Sequence, residues 1–156
     1  MGIWAGIKHA LNSTLGTSEF KSLDKIIEGQ RSLAASDSVI SVVFSGNQMV
    51  TNNLGFFSLG SFVPKKNGSV RVVLIGYAEG AQSNRAVKVI VRNNGTDSVS
   101  AVDASSVGGY SVFVDISVIA DETYEVLVAV TNSIPVRVTN AKIGANIVDT
   151  SLVEVL

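Results

Sequence analysis

The sequence predicts a mainly β protein: an antiparallel two-sheet β-sandwich of the jelly-roll kind, preceded by a short helical N-terminal arm. Three observations predict it. From Val39 onward, short apolar runs alternate with polar residues at period two, which sets each side-chain set on one face of an extended backbone. Turn signals separate these runs every ~8–12 residues, the spacing of a sandwich or barrel. Before Ser36 the period changes to three and four. An up-and-down barrel is the alternative architecture.

The arm comes first. Ile3, Trp4, Ile7, Leu11 and Leu15 lay an apolar stripe along one helical face, with Lys8, Asn12 and Ser13 off it. Gly16 is a natural helix stop. Thr17 to Lys21 reads as a linker, and Ser22 caps a second short helix carrying Leu23, Ile26 and Ile27, stopped by Gly29. Both helices fall near or below the ~12–15 residues at which an isolated helix is marginal in water, so they need a surface to lie on. The boundary is drawn near Ser36, giving a docking arm over 1–36 and a β domain over 37–156.

Gln30 to Ser38 reads as an extended connection. Val39 to Phe44 is the first strand, with Ser45-Gly46-Asn47 as its turn, and Phe56 to Val63 the next, closed by Pro64-Lys65-Lys66-Asn67-Gly68. Ser69 to Tyr77 is almost continuously apolar, as in a central strand buried on both faces. Val87 to Arg92, Asn93-Asn94-Gly95 and Ser98 to Asp103 form a strong hairpin signal. Tyr110 to Ile119 and Tyr124 to Thr131 read as two paired strands around Ala120-Asp121-Glu122-Thr123. Their second face carries Phe113, Ile119, Leu127 and Ala129 beside Asp115 and Glu125, too apolar to meet only water, so another sheet or another copy covers it. Pro135 demotes Ile134 to Thr139 to an edge or irregular strand, Ala141 to Val148 closes the fold, and Leu152 to Leu156 is an apolar tail.

The 156 residues suit one domain with an appendage. They are 46% hydrophobic and 16% charged, below the roughly 25% of an average domain, so part of the surface is neutral. A net charge of −1 gives no electrostatic footprint for nucleic acid, and no apolar run approaches the ~18 residues of a membrane span. Zero cysteines exclude disulfides, thiolate metal sites and cysteine nucleophiles. Gly6 stands where a myristoylation signal wants Ser or Thr, and Lys8 and His9 interrupt any secretory h-region.

Chemistry is thin. His9, the only histidine, sits on the arm beside Lys8 and Ala10 and reads as a solvated or packing residue; without a second His or a Cys, no transition-metal site follows. Asp121-Glu122 reads as a turn, with a calcium site as the lesser alternative, and Asp97, Asp103 and Asp115 are too scattered to nominate a glycosidase pair. Gly76-Tyr77-Ala78-Glu79-Gly80 lacks the Lys-Ser/Thr of a phosphate loop. Lys65-Lys66, Arg71, Lys88 and Arg92 are the one basic concentration, better read as a solvated, edge-guarding hairpin than as a nucleic-acid patch. The expectation is therefore no enzyme, no cofactor and no metal.

Two other features carry function. Tyr110 and Tyr124 share the phase of their strands' valines and belong in the core. Tyr77, at a strand end beside the Ala78–Asn84 loop, remains as a possible glycan platform, with a site in loops Gly76–Asn84 and Ser105–Gly109. The other feature is the arm, whose apolar side chains, with Trp4 as an aromatic anchor, suit a partner surface.

The run Gly2-Ile3-Trp4-Ala5-Gly6-Ile7-Lys8-His9-Ala10-Leu11-Asn12-Ser13-Thr14-Leu15-Gly16-Thr17-Ser18-Glu19-Phe20-Lys21-Ser22-Leu23-Asp24 resembles the leading arm of structural proteins from tailed bacteriophages and phage-like particles of Gram-positive bacteria. In that group a short apolar helix runs into Gly-Thr-Ser-x-Phe-Lys-Pro-Leu-Asp and then a variable β domain; here Ser22 replaces the proline. The resemblance covers about the first quarter of the chain. It implies a virion protein of the tail, baseplate or fibre type, assembled in the bacterial cytoplasm, with Ile3, Trp4, Ile7, Leu11, Leu15, Phe20, Leu23, Ile26 and Ile27 gripping other virion proteins or sister subunits in a trimer or hexamer. A peripheral receptor- or carbohydrate-binding module, or a capsid decoration or head fibre protein, is the alternative.

Overall fold

Valine and isoleucine, stiff at χ1 and suited to a pleated surface, dominate the runs that become strands. The computed structural model describes residues 32–156. The arm helices and the partner-binding residues named above, Ile3 to Ile27, lie outside them. The chain divides into two units, Met1–Ser32 and Leu33–Leu156. In the second, nine strands follow one another: β1 (Ala35–Val50), β2 (Phe57–Pro64), β3 (Gly68–Ala78), β4 (Ala86–Asn93), β5 (Thr96–Asp103), β6 (Gly108–Val118), β7 (Tyr124–Val130), β8 (Val136–Ala145) and β9 (Val153–Val155).

They form two sheets, β1-β8-β3-β6 and β5-β4-β7-β2-β9, antiparallel throughout. β1 pairs with β8, β2 with β7, β3 with β6 and β4 with β5. This nesting of strands, first with last and inward, is that of a rolled-up jelly roll, with β9 added beside β2. The facing sides meet in one core: Ile40 and Val50 from β1, Val70, Val72 and Leu74 from β3, Val136, Val138 and Ile143 from β8, against Phe62, Val87, Val89, Val126 and Val128. Tyr110 and Tyr124 are buried as expected, and Tyr124 stacks on Phe62 with centroids 5.4 Å apart.

The β4–β5 hairpin forms as read, with Asn93 opposite Thr96 and both turn residues, Asn94 and Gly95, at positive φ. Other readings need correction. Tyr110–Ile119 and Tyr124–Thr131 are not a pair: β6 lies against β3 in one sheet and β7 between β4 and β2 in the other. Period two fixes which side chains share a face, not which strand lies alongside. The connection crosses from sheet to sheet; Asp121 adopts φ +66°, its N–H donates to Pro64 O, and Ile119 N–H donates to the Tyr124 hydroxyl at 2.9 Å. On the second face of this stretch Leu127 is buried, but Phe113 and Ile119 are exposed.

Ser45-Gly46-Asn47 is a bulge rather than a turn. β1 runs on to Val50, with a register shift against β8 between Ser45 and Gln48, and the chain turns instead at the 3₁₀ segment Asn52–Leu54, where Gly55 takes φ +62°. β3 is buried on its inner face alone; Arg71, Val73 and Ile75 are half-buried and Tyr77 exposed, because its outer side is the outer side of the sandwich. β8 is not an edge but an interior strand, between β1 and β3; it is irregular as read, with a register shift that leaves Thr139 without a partner in β3. Pro135 precedes its first residue, so the ladder loses no N–H. The apolar tail is placed too: Leu152 and Val153 are buried and β9 extends the second sheet. Leu33, also buried, bridges to Gly68 ahead of β1.

Candidate functional site

Alternation in β3 turns Gly76 and Ala78 inward and leaves Tyr77 on the outer face, 43% exposed. Strand pairing then fixes its company. Tyr77 is opposite Arg137 of β8 on one side and Gly109 of β6 on the other, and Arg137 is in turn opposite Met49 of β1. One row across the sheet therefore reads Met49, Arg137, Tyr77, Gly109. Gly109 offers no side chain, so the tyrosine ring is unflanked toward β6. Arg137 is held by Glu79: both Nε and Nη2 donate to Oε1, the first at 2.8 Å. An aromatic surface stands beside a fixed group of donors and acceptors.

The row sits on a rigid base. Gly76, next to Tyr77, allows the Tyr110 hydroxyl to reach the carbonyl of Arg137, donating to it at 2.8 Å; a Cβ at Gly76 would lie 2.0 Å from that carbonyl and 2.2 Å from the hydroxyl. Burial pushes the Tyr110 phenol above its ordinary value, so it remains a donor through the neutral range. The Thr139 hydroxyl donates to Ile75 O at 3.1 Å on the same strand pair.

The two loops named from the sequence come together. Gln82 N–H donates to Ser105 O at 2.8 Å, and Ala104 N–H to Arg85 O at 2.9 Å. Beneath them lies Arg85, the one buried charged side chain among the described residues. It donates through Nε to Ala104 O at 2.8 Å, through Nη2 to Gly80 O, and through Nη1 to Pro135 O at a longer 3.5 Å. Three loops at one end of the sandwich thus share a single guanidinium. The sequence reading missed it, since nothing in Asn84-Arg85-Ala86 distinguishes this arginine from a solvated one.

Elsewhere several charged groups are paired on the surface. Arg71 grips Asp115 with Nε and Nη2 at 2.8 and 2.9 Å, reaches Asp37 at 2.8 Å, and stacks 4.1 Å from the Phe113 ring centroid. Hydrogen bonding from Arg71 holds Asp115 below the ordinary carboxylate range. Arg92 binds Asp97 the same way and lies over Phe56, and Lys65 pairs with Glu154 at 2.8 Å. The basic concentration is thus partly neutralised. The Asp121-Glu122 turn is drawn toward Lys65, 4.0 Å from Asp121, and Tyr124. Among the described residues no three His, Cys, Asp or Glu side chains converge as metal ligands. A cleft of about 220 Å³ opens between the edges of β5 and β6, with Val91, Ile116 and Tyr124 on its apolar side.

No model of a known protein family matches the chain, and no curated protein does. Among solved structures it is similar to a GH115 4-O-methyl-alpha-glucuronidase with specificity for decorated arabinogalactans, at 11% identity and TM-score 0.45, over 70% of this chain and 18% of that one. It is also similar to the CBM35 from Cellvibrio japonicus Abf62, at 14% identity and TM-score 0.44, over 81% of this chain and 92% of that one. The chain thus spans under a fifth of the length of the glucuronidase. At these values neither likeness bears on what this chain binds.

Proposed function

We propose that this chain is a non-enzymatic binding module of a phage-like particle. Its β-sandwich contacts a carbohydrate at the host surface, and residues 1–36 hold it to other virion proteins. The observation that carries the binding half is the row Arg137–Tyr77–Gly109. An exposed aromatic with an open flank accepts the C–H face of a sugar ring. The adjoining Arg137–Glu79 pair supplies charge-assisted partners for hydroxyls. The loops beside it are pinned by Arg85, so little ordering entropy is spent on binding. The particle half rests on the sequence resemblance of residues 2–24.

Titration of the full chain with host surface polysaccharides, beside Tyr77→Ala, tests this. Saturable binding by the natural chain and a loss of about tenfold or more in the variant is expected. Silence on every host polymer, or equal binding by the variant, removes the carbohydrate reading.

A purely structural role in tail, baseplate or fibre is the second reading, favoured by the apolar stripe around Trp4. It expects no glycan binding and a failure of Trp4→Ala chains to enter particles.

A further inference from the structure

We infer that β6 is a dimerisation edge, pairing antiparallel with β6 of a second copy so that two four-stranded sheets become one. The inference is independent of the carbohydrate reading. An edge strand presents unpaired N–H and C=O groups, and proteins ordinarily guard it with bulges, shortness, lysine or proline. Two of the four edges here are guarded: β1 has four register shifts against its neighbour and β9 is three residues long. β5 and β6 both pair in unbroken register, contain no Lys, Arg or Pro, and carry exposed aspartates. β6 is the longer of these two, eleven residues against eight.

Its sequence is also self-complementary. The centre of Gly108–Val118 is Phe113, so the fully overlapped antiparallel register has its two-fold axis there. On the outer face this register sets Ser111 opposite the second copy's Asp115 and Gly109 opposite its Ser117; on the core face, Val112 meets Val114 and Tyr110 meets Ile116. No like charges oppose one another. Asp115 is already held ionised by Arg71, and a serine hydroxyl facing it donates. Phe113, 49% exposed in one chain, meets its own copy at the axis. The pairing leaves two Tyr77 rings on the same face of a continuous sheet, which favours multivalent over monovalent ligands.

Sedimentation equilibrium of the full chain across concentration tests the inference, with Ser111→Asp and Ser111→Lys as register probes. Both substitutions are at an exposed position, and circular dichroism checks that the fold is kept. The expected result is a concentration-dependent species of twice the 16.3 kDa chain mass. Ser111→Asp, now facing Asp115 twice, weakens it about tenfold, and Ser111→Lys leaves it as tight or tighter. A monomer at every concentration, a trimer, or a dimer indifferent to the sign placed at Ser111 overturns it.

Discussion

Arg85 Nε donates to the carbonyl of Ala104 at 2.8 Å, joining the residue just before β4 to the residue just after β5. The bond is enclosed, and the rest of the guanidinium is spent on Gly80 and Pro135 carbonyls, with no carboxylate among its hydrogen-bond partners in the described residues. A buried cation without a counter-ion survives only where carbonyl dipoles replace water. Removing it orphans the carbonyls as well. Arg85→Met is therefore expected to cost about 2–3 kcal/mol, read by urea denaturation. Hydrogen exchange should quicken first in loops 79–84, 104–107 and 131–135. A neutral effect would mean water satisfies those groups equally well.

Gly76 is constrained by contact, not by its dihedrals. Its missing Cβ leaves room for both the Arg137 carbonyl and the Tyr110 hydroxyl. Gly76→Ala should be among the most destabilising single changes in the sandwich, by about 3 kcal/mol or more, since backbone has to move. Tyr110→Phe alone should cost about 1 kcal/mol. Combining them should not rescue the alanine variant, because the 2.0 Å approach to the carbonyl remains. Thermal melts of the three variants decide this.

How much of this was legible in the chain depended on range. Asn94-Gly95 announced its hairpin because both residues accept the left-handed backbone that a two-residue turn demands. Tyr110 and Tyr124 shared phase with valines and were rightly placed in the core. Partners were not legible. The alternation in β6 and β7 is compatible with their pairing together, yet β6 closes on β3, about forty residues upstream, and the preference comes from the whole wrapped topology. Pro135 misled for a similar reason: one residue's shift decides whether a proline removes a ladder bond or merely precedes one. At the site, Tyr77 could be found by elimination among tyrosines. Arg137 and Glu79 could not, because fifty-eight positions separate them.

Tyr77 should separate binding from stability. Its ring is largely outside the core, so Tyr77→Ala is expected to shift folding free energy by less than about 0.5 kcal/mol while abolishing the glycan contact. Arg137→Met should weaken binding as well, but with some stability lost through its contact with Glu79. A Tyr77→Ala chain that unfolds several degrees lower would instead show the ring to be structural.

Acid should be the sandwich's weak side. Hydrogen bonds from Arg71, Arg92 and Lys65 hold Asp115, Asp97 and Glu154 below their ordinary values, and Ser151 does the same for Asp149 at the 3₁₀ cap. A depressed folded-state pKa means that the unfolded chain takes up protons first. The stabilisation is complete above the ordinary values of 3.8 for Asp and 4.5 for Glu, and is lost as pH falls through the folded ones. Lys65, raised by Glu154, acts oppositely: its share is present below 10.5 and fades as pH rises beyond it. The midpoint of thermal unfolding should thus be level from about pH 6 to 9 and decline below about pH 4. Arg71→Met should flatten part of the acid decline without altering its alkaline side. Because these pairs are exposed, high salt at neutral pH should change the midpoint little. A midpoint unchanged down to pH 3 would mean that the surface pairs contribute nothing to the stability of the sheets whose strands they join.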